Sequence, residues 1–310
     1  MMATYNGEQF VRSQIDSILA QRDVNVTLLI HDDGSSDSTF EICSEYATMH
    51  PNVIAVRNER NLGVTENFMG MLCDDDAEGF DFYAFSDQDD EWFANKLSHA
   101  TKSLLAQGLT DQPALYFSDI RNEWVDENDQ CIHQELEISR FRNCEAAPMT
   151  LLVRNWVNGC AMVFNPALRD LIVERRPDSI PRIHDVWVHM VARYCGTIVS
   201  DYDQVLMRRR LTGSNVVGKT NMHIASVGEL RKLVGLTFSD NEHPMHECAK
   251  LFLDTYQDEI AQQYLQPLRD FVNYRDSPAS TLKLMRSKLY WLPSKSARLR
   301  MKVAMLLGFY

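Results

Sequence analysis

The sequence Phe82-Tyr83-Ala84-Phe85-Ser86-Asp87-Gln88-Asp89-Asp90-Glu91-Trp92 contains an acidic cluster directly after a short apolar run. The apolar run predicts a buried β-strand, so the cluster lies at the carboxyl end of that strand. Asp87, Asp89 and Asp90 repel one another, and they must either lie in water or be neutralised by a cation. A solvated turn or the N-cap of a following helix would suit the same residues, and the motif alone leaves both interpretations open.

The segments on either side of this motif alternate between strand-like and helix-like patterns. The predicted strands are residues 1–5, 26–30, 53–56, 82–85 and 114–118, and the predicted helices are residues 8–21, 37–49, 65–73 and 92–107. This alternation predicts an α/β fold with a mainly parallel central sheet. Right-handed crossovers place the carboxyl ends of such strands on one edge, where ligands bind. Asn6, Asp33, Asn58 and Asp87 each follow a predicted strand, so we expect them to converge there.

The second half of the chain has a less regular pattern. It contains a predicted hairpin with its turn in residues 126–130, an apolar segment at 157–164 and a helical pattern from about Met222 onward. We therefore divide the chain into a first half of the sheet domain (1–120), a second half (121–220) and a helical C-terminal region (221–310).

Composition restricts the classes of function. The 310 residues are 45% hydrophobic and 24% charged, as in ordinary globular proteins. The net charge of −12 argues against nucleic-acid binding. Seven scattered cysteines without a Cys-x-x-Cys pair favour reduced thiols in a cytoplasmic protein. No signal-like segment or long apolar span is visible, and no Gly-rich phosphate loop follows any predicted strand.

Three motifs, in this order and spacing, resemble those of family 2 inverting glycosyltransferases, and within that family those of rhamnosyltransferase-type enzymes. The motifs are Ala3-Thr4-Tyr5-Asn6-Gly7, Ile30-His31-Asp32-Asp33-Gly34-Ser35-Ser36-Asp37 and Ser86-Asp87-Gln88-Asp89-Asp90-Glu91-Trp92. Further similarity lies in Asn158-Gly159-Cys160-Ala161, His184-Asp185-Val186-Trp187 and Ser214-Asn215-Val216-Val217-Gly218. The resemblance implies a GT-A (Rossmann-like) nucleotide-diphospho-sugar transferase fold with a helical C-terminal extension.

The resemblance also implies which residues bind a dTDP- or UDP-linked donor. Tyr5 would stack on the base, and the Asp33 carboxylate would accept the hydrogen bond of the ring N–H. The further nucleotide-sugar residues are Ala3, Thr4, Asn6, Asn61, Asn67, Ser86, Asp87, Gln88 and Arg210. An Asx-turn explains Asp33 without a ligand, and helix capping explains Asn61 and Asn67 equally well.

For the chemistry, the resemblance implies Asp89 and Asp87 as ligands of Mg²⁺ or Mn²⁺, whereas Asp90 and Glu91 are expected to begin the next helix. Asp185 is expected to be the catalytic base, with a helix N-cap as the alternative role. Asn158, Gly159, His184 and Trp187 are expected at the acceptor, although a Trp at helical spacing commonly belongs to the core.

The sequence departs from the family in two places. The first predicted strand begins at Met1-Met2 and looks shortened. Relatives commonly carry a histidine where this chain has Leu211-Thr212 after Arg208-Arg209-Arg210. Arginine does not ligate metals but pairs with phosphate oxygens, which is why Arg210 is assigned to the donor.

The C-terminal segment is strongly basic. Residues 277–310 contain seven Lys or Arg and no Asp or Glu. In a helix over 296–310, one face would carry Leu299, Val303, Leu306, Leu307 and Tyr310, and another Lys295, Arg298 and Lys302. Such a helix suits an anionic membrane surface, and docking on the acidic body of the chain or on another subunit is the alternative.

The sequence thus predicts a metal-dependent inverting glycosyltransferase. It would move a sugar such as rhamnose onto a glycan or lipid-linked glycan of a surface polysaccharide, in the cytoplasm or at the inner face of the cytoplasmic membrane. Two alternatives stay open: a catalytically idle nucleotide-sugar-binding scaffold, and a sugar nucleotidyltransferase, for which the expected Gly-rich basic loop is missing.

Overall fold

The computed structural model describes residues 1–126, 129–211, 244–292 and 295–306. The strands are β1 (Met2–Thr4), β2 (Leu28–Asp32), β3 (Val53–Arg57), β4 (Tyr83–Ala84), β5 (Asp90–Trp92), β6 (Ala114–Val125), β7 (Cys131–Leu136), β8 (Met162–Phe164) and β9 (Thr197–Leu211). The helices are α1 (Val11–Leu19), α2 (Thr39–Met49), α3 (Val64–Leu72), α4 (Lys96–Ala106), α5 (Pro166–Glu174), α6 (His184–Cys195), α7 (Pro244–Tyr256), α8 (Gln262–Val272), α9 (Pro278–Arg286) and α10 (Lys295–Leu306).

The first three strands form a parallel sheet in the order β1-β2-β3. All five residues of β2 are buried, as expected for a parallel strand that is covered on both faces. Helix α1 buries Val11, Ile15 and Ile18, which recur at helical spacing along one side. The predicted βα alternation is therefore confirmed in this half of the chain.

The second sheet is mixed, with the order β4-β8-β6-β9-β5, and β7 pairs with β6. Among the pairings of its described strands, β6 with β9 is the parallel one. A parallel bridge between Met2 and Ser86 joins the two sheets next to the acidic cluster. The expected parallel pairing thus holds for β1 to β3, whereas β4, β5, β7 and β8 pair antiparallel with their neighbours; of these pairs, β6 with β7 is a hairpin and the others join distant parts of the chain.

Strand β5 corrects one expectation, because Asp90 and Glu91 do not begin a helix. They pair with β9, where Asp90 lies opposite Arg209 and Glu91 opposite Arg208. Opposite charges face each other across this ladder, which favours the strand over a helix start. Helix α4 begins only at Lys96.

The C-terminal helices pack on the sheet domain through α6. Trp187 is fully buried and contacts Phe252 and Tyr256 of α7, with ring centroids 5.7 Å and 5.8 Å away. Four described helices follow β9, in line with the expected helical region, but residues 212–243 and the motif at Ser214–Gly218 lie outside the described residues. Among the helices in the described ranges, none combines the length and the hydropathy needed to cross a bilayer.

Candidate active site

The loops after β1 and β2 are held together by Asn6. Its side-chain oxygen accepts a hydrogen bond from the Ser36 backbone N–H at 2.8 Å, and its own N–H donates to Ser35 Oγ at 2.9 Å. Asn6 has φ 48°, a left-handed conformation that asparagine tolerates better than most residues. Thr4 is buried and donates to Asp32 Oδ2 at 3.1 Å. Asn6 and Thr4 therefore shape the sheet edge through contacts inside the protein.

Tyr5 is the exposed residue of this first loop. Half of its surface is open to solvent, while Ala3 lies within β1. The Tyr5 backbone is fixed, because its N–H donates to Gln88 Oε1 and its carbonyl accepts from Gln88 Nε2, both at 2.9 Å. A rigid backbone and a free ring are what stacking on a planar base requires.

Asp33 is buried, and protein N–H groups surround its carboxylate. Oδ1 accepts from the Leu62 N–H at 2.8 Å and from Asn58 Nδ2 at 2.9 Å, and Oδ2 accepts from the Gly63 N–H at 2.8 Å. These bonds fasten the segment before α3 to the end of β2. A base N–H would be an additional donor to this carboxylate, so reading of a base by Asp33 stays a prediction.

Asn61 and Asn67 also make contacts within the protein. Asn61 Nδ2 donates to the Asp33 carbonyl at 3.0 Å, and the buried Asn67 donates to the His31 carbonyl at 3.1 Å. Neither caps α3, whose N-cap is Gly63. Both side chains stabilise the loops around Asp33 whether or not they touch a ligand.

Asp87, Asp90 and Cys160 form the most concentrated group of metal-ligating atoms in the described part of the chain. One ligand atom from each lies within 4.8 Å of the other two. Asp90 is fully buried, and neither of its carboxylate oxygens has a hydrogen-bond partner among the described residues. A buried carboxylate that has at most a weak thiol donor beside it is unfavourable unless it is protonated or meets a cation. The donor set therefore fits a divalent cation, with Asp89 half-buried in the same loop.

Burial perturbs the acids of this cluster. Desolvation, with a smaller contribution from the Asp89 charge, raises the pKa of Asp87 to about 6. Desolvation and the charges of Asp87 and Asp89 raise the pKa of Asp90 well above its ordinary value. Two cations compensate in part: Arg209 lies opposite Asp90 on β9, and the buried Lys96 donates to the Cys160 carbonyl at 2.9 Å.

Asp185 lies in the first turn of α6, beside the loop at Gly159. Burial and the negative charge of Asp87 raise the pKa of Asp185 to about 7, while the backbone N–H groups of Val186 and Gly159 lower it. The N-cap of α6 is Ile183, so Asp185 does not have the capping role that was the alternative. A half-buried carboxylate with a pKa near neutrality, beside the candidate metal cluster, is well suited to proton transfer.

His184 and Gly159 fit closely under this carboxylate. A Cβ on Gly159 would lie 2.7 Å from His184 Nε2 and 3.5 Å from Asp185 Cβ. His184 is buried and stacks on Phe68 at 4.1 Å, and desolvation lowers its pKa to about 3. His184 is therefore a neutral residue that packs in the core. The half-buried Asn158 directly precedes Gly159 in the chain.

Trp187 and Arg210 do not suit the roles expected from the sequence. Trp187 is fully buried against α7, so it cannot line an acceptor pocket. Arg210 is 1% exposed; it donates to Glu91 and Asp129, both at 2.9 Å, and to the Asp90 carbonyl at 2.8 Å. Its guanidinium is hydrogen-bonded to the acidic loop and is therefore not available to a phosphate. Ser86 is buried too, and accepts from Gln14 Nε2 at 2.6 Å.

Sequence reasoning did not assign Lys96, Arg209 or the Cys160 thiol to this group, and it placed Asp90 at the start of a helix. The sequence contained one signal for Arg209. Side chains alternate along a strand, so Arg208 and Arg210 lie on one face and Arg209 lies on the other. That signal becomes visible only when residues 208–210 are recognised as a strand.

Comparison with known proteins agrees with this geometry. The model of "Glycosyl transferase family 2" matches residues 1–155, half of the chain. The chain belongs to glycosyl transferase family 2. A curated relative is RfbG of Shigella flexneri, a dTDP-rhamnosyl transferase, which is 36% identical over 130 residues; the match covers 40% of this chain and 45% of RfbG. The chain thus matches less than half of the length of that relative.

Another relative is WfgD of Escherichia coli, a UDP-Glc:alpha-D-GlcNAc-diphosphoundecaprenol beta-1,3-glucosyltransferase. It is 26% identical over 212 residues, which cover 65% of this chain and 75% of WfgD. Among solved structures, Staphylococcus aureus TarS 1–349 in complex with UDP has a TM-score of 0.54 at 16% identity and covers 93% of this chain and 75% of that one. This likeness supports the fold, and the expected GT-A fold is confirmed.

Proposed function

We propose that this chain transfers a sugar from a nucleoside diphosphate donor to a glycan or lipid-linked glycan during surface-polysaccharide synthesis. Family membership supports the reaction class, and the names of RfbG and WfgD suggest a dTDP- or UDP-linked donor, with rhamnose as one candidate sugar. The observation that carries the proposal is the position of Asp185. Asp185 packs against Gly159, whose neighbour Cys160 forms the candidate metal group with Asp87 and Asp90, and burial, with a contribution from the charge of Asp87, raises the pKa of Asp185.

The donor would lie along the edge formed by the loops after β1, β2 and β4. Tyr5 offers an exposed ring for the base, and the buried Asp33 lies at the end of the neighbouring strand. Gln88 fixes the Tyr5 backbone and thereby the distance between the base position and the acidic loop. The other half of the donor, its diphosphate, would then reach Asp87 and Asp89.

A divalent cation such as Mg²⁺ or Mn²⁺ would be held by Asp87, with Asp90 or Asp89 as the second carboxylate. Oxygen ligands suit these hard ions, and Cys160 adds a softer atom at the edge of the group. When bound, the ion neutralises charge on the leaving diphosphate. Arg209 contributes a fixed positive charge beside the same carboxylates.

Asp185 would accept the proton of an acceptor hydroxyl. The hydroxyl oxygen forms a bond to the anomeric carbon while the bond from that carbon to the diphosphate oxygen breaks, so the configuration inverts in one step. The proton passes to a carboxylate oxygen of Asp185, and the electron pair leaves with the nucleoside diphosphate. Such general-base help contributes roughly 10²- to 10⁴-fold.

We propose the cytoplasm as the compartment and the inner face of the cytoplasmic membrane as the working surface. All seven cysteines lie in the described ranges, and none forms a disulfide. Free thiols are usual in a reducing compartment. A lipid-linked acceptor would be presented to the protein at that face.

The proposed function is tested by measuring slow hydrolysis of the sugar donor. The purified chain is incubated with dTDP-rhamnose, UDP-glucose or UDP-GlcNAc and Mn²⁺, and release of nucleoside diphosphate is measured. We expect release from one of these donors, and expect Asp185→Asn to lose it. Asp178→Asn changes an exposed aspartate near the same helix and should keep it. Tight donor binding with no release would favour the idle scaffold instead.

A further inference from the structure

Helix α10 has two unlike sides. Met301 and Met305 are buried against the core, at 4% and 1% exposure. Leu299, Val303 and Leu306 are 64%, 43% and 59% exposed. The helix is therefore anchored to the protein through its methionines and leaves a second apolar stripe in contact with water.

Basic residues lie next to the exposed apolar stripe. Lys295, Arg298 and Lys302 are all exposed. At about 100° per residue, they occupy an arc of roughly 60° that adjoins the arc of Leu299, Val303 and Leu306. An apolar stripe with a basic border is the pattern of a helix that lies in a membrane interface.

The charge distribution favours one kind of partner. Residues 277–310 carry seven basic and no acidic side chains, whereas the preceding residues have a large acidic excess within a net charge of −12. An anionic surface attracts residues 277–310 and repels the acidic remainder of the chain, so it selects one orientation of the protein. Of the basic residues in the described part of this segment, Lys283 has a partner in Asp270 at 3.3 Å.

We propose that the exposed side of α10 docks on an anionic lipid bilayer. The leucines and the valine enter the interface between headgroups and acyl chains, and the lysines and arginine contact lipid phosphates. This inference deepens the proposed location at the membrane. It does not depend on the transfer chemistry, because vesicle binding needs neither donor nor acceptor.

Vesicle co-sedimentation of the full chain tests the docking surface. Vesicles of phosphatidylcholine alone are compared with vesicles in which part of it is replaced by phosphatidylglycerol. We expect binding only to the anionic vesicles, and weaker binding at high salt, since screening shortens the reach of these charges. Equal binding to both vesicles, or binding to neither, would overturn the proposal.

Matched variants separate this face from the rest of the surface. Leu299→Glu should abolish binding, and Leu105→Glu, which changes a 52% exposed leucine of α4, should not. Arg298→Glu and Lys302→Glu should each weaken binding by at least about fivefold, while Lys102→Glu on α4 should have no such effect. Circular dichroism checks that each variant is folded. If Leu299→Glu leaves vesicle binding intact and instead dissociates a dimer in light scattering, the face is a contact between copies and the proposal fails.

Discussion

The side-chain amide of Gln88 forms two hydrogen bonds with the backbone of Tyr5, a residue 83 positions earlier in the chain. The pair imitates one rung of a β-ladder between the loop after β1 and the acidic loop. Gly7 lies directly beside it, and a Cβ at that position would lie 2.3 Å from Gln88 Cδ. The exposed tyrosine and the carboxylates of the candidate metal site are thereby held at a fixed spacing.

Gly7→Ala should destabilise the protein by about 1 kcal/mol, because the new methyl group displaces the Gln88 amide and breaks its two hydrogen bonds to Tyr5. In the Gln88→Ala background, the same substitution should have a much smaller effect, since the obstructing amide is gone. Urea denaturation of the two single variants and the double variant measures the difference. Additive effects would show that the clash does not involve Gln88.

Asp185→Asn should lower sugar transfer by roughly 10²- to 10⁴-fold, because asparagine cannot accept the acceptor proton. Binding of UDP or dTDP, measured by calorimetry, should change little. Asp178→Asn is the control for loss of a negative charge near α6. A variant that keeps most of its activity would remove Asp185 from the role of base.

Asp87→Asn should weaken Mn²⁺ binding at least about tenfold, because it removes a candidate ligand. The measurement is the loss of the free-ion signal in electron paramagnetic resonance, taken with UDP or dTDP present. Asp75→Asn removes an exposed carboxylate and should leave Mn²⁺ affinity unchanged. Equal affinities for the two variants would contradict the assignment.

Cys160→Ser tests whether the thiol belongs to the same site. Thiolate prefers softer ions, so this substitution should reduce Cd²⁺ affinity more than Mn²⁺ affinity. Calorimetric titration of each ion into the wild type and the variant gives the comparison. An unchanged preference would place the thiol outside the coordination sphere.

Asp185 should make the metal-free protein less stable as the pH rises. Its folded pKa is about 7, above the ordinary value of 3.8. Between these values the folded state holds a proton that the unfolded state has released, so stability falls with increasing pH by up to about 1.4 kcal/mol per unit. Asp185→Asn lacks this contribution and should gain stability relative to wild type from about pH 4 to pH 7. The free energy of unfolding of both proteins is measured by denaturation across that range. If it changes with pH in the same way for wild type and Asp185→Asn, the raised pKa is contradicted.

Arg210→Met should destabilise the fold by about 2 kcal/mol, because it removes the buried donor to the carbonyls of Asp89 and Asp90 and to the carboxylates of Glu91 and Asp129. Arg175→Met removes a surface pair with Glu259 and should cost less than about 1 kcal/mol. Thermal and urea denaturation compare the two. If Arg210→Met instead weakens binding of UDP or dTDP in a protein of unchanged stability, the phosphate-binding role expected from the sequence would be restored.

Local patterns predicted the first half of the fold well, because each predicted strand and helix there has its own period and its own boundary signals. The prediction was wrong at Asp90 and Glu91, since what makes them a strand is β9, more than 110 residues later. The same dependence on distant partners hid the burial of Arg210, whereas a core position of Trp187 was the alternative that its helical spacing suggested. Asp185 was located from its motif, but its proximity to Asp87 comes from the packing of α6 beside the acidic loop.

The three consecutive arginines of strand β9 lie alternately on its two faces. Arg208 and Arg210 pair with Glu91 and Asp129, and Arg209 alone lies near Asp87 and Asp90. A shift of one residue in the pairing of β9 with β5 would reverse this division and bring two guanidinium groups to the carboxylates. The net charge of the candidate metal site therefore depends on the alignment of a strand as well as on the residue types present. An insertion near residue 207 would change that charge without replacing any charged residue.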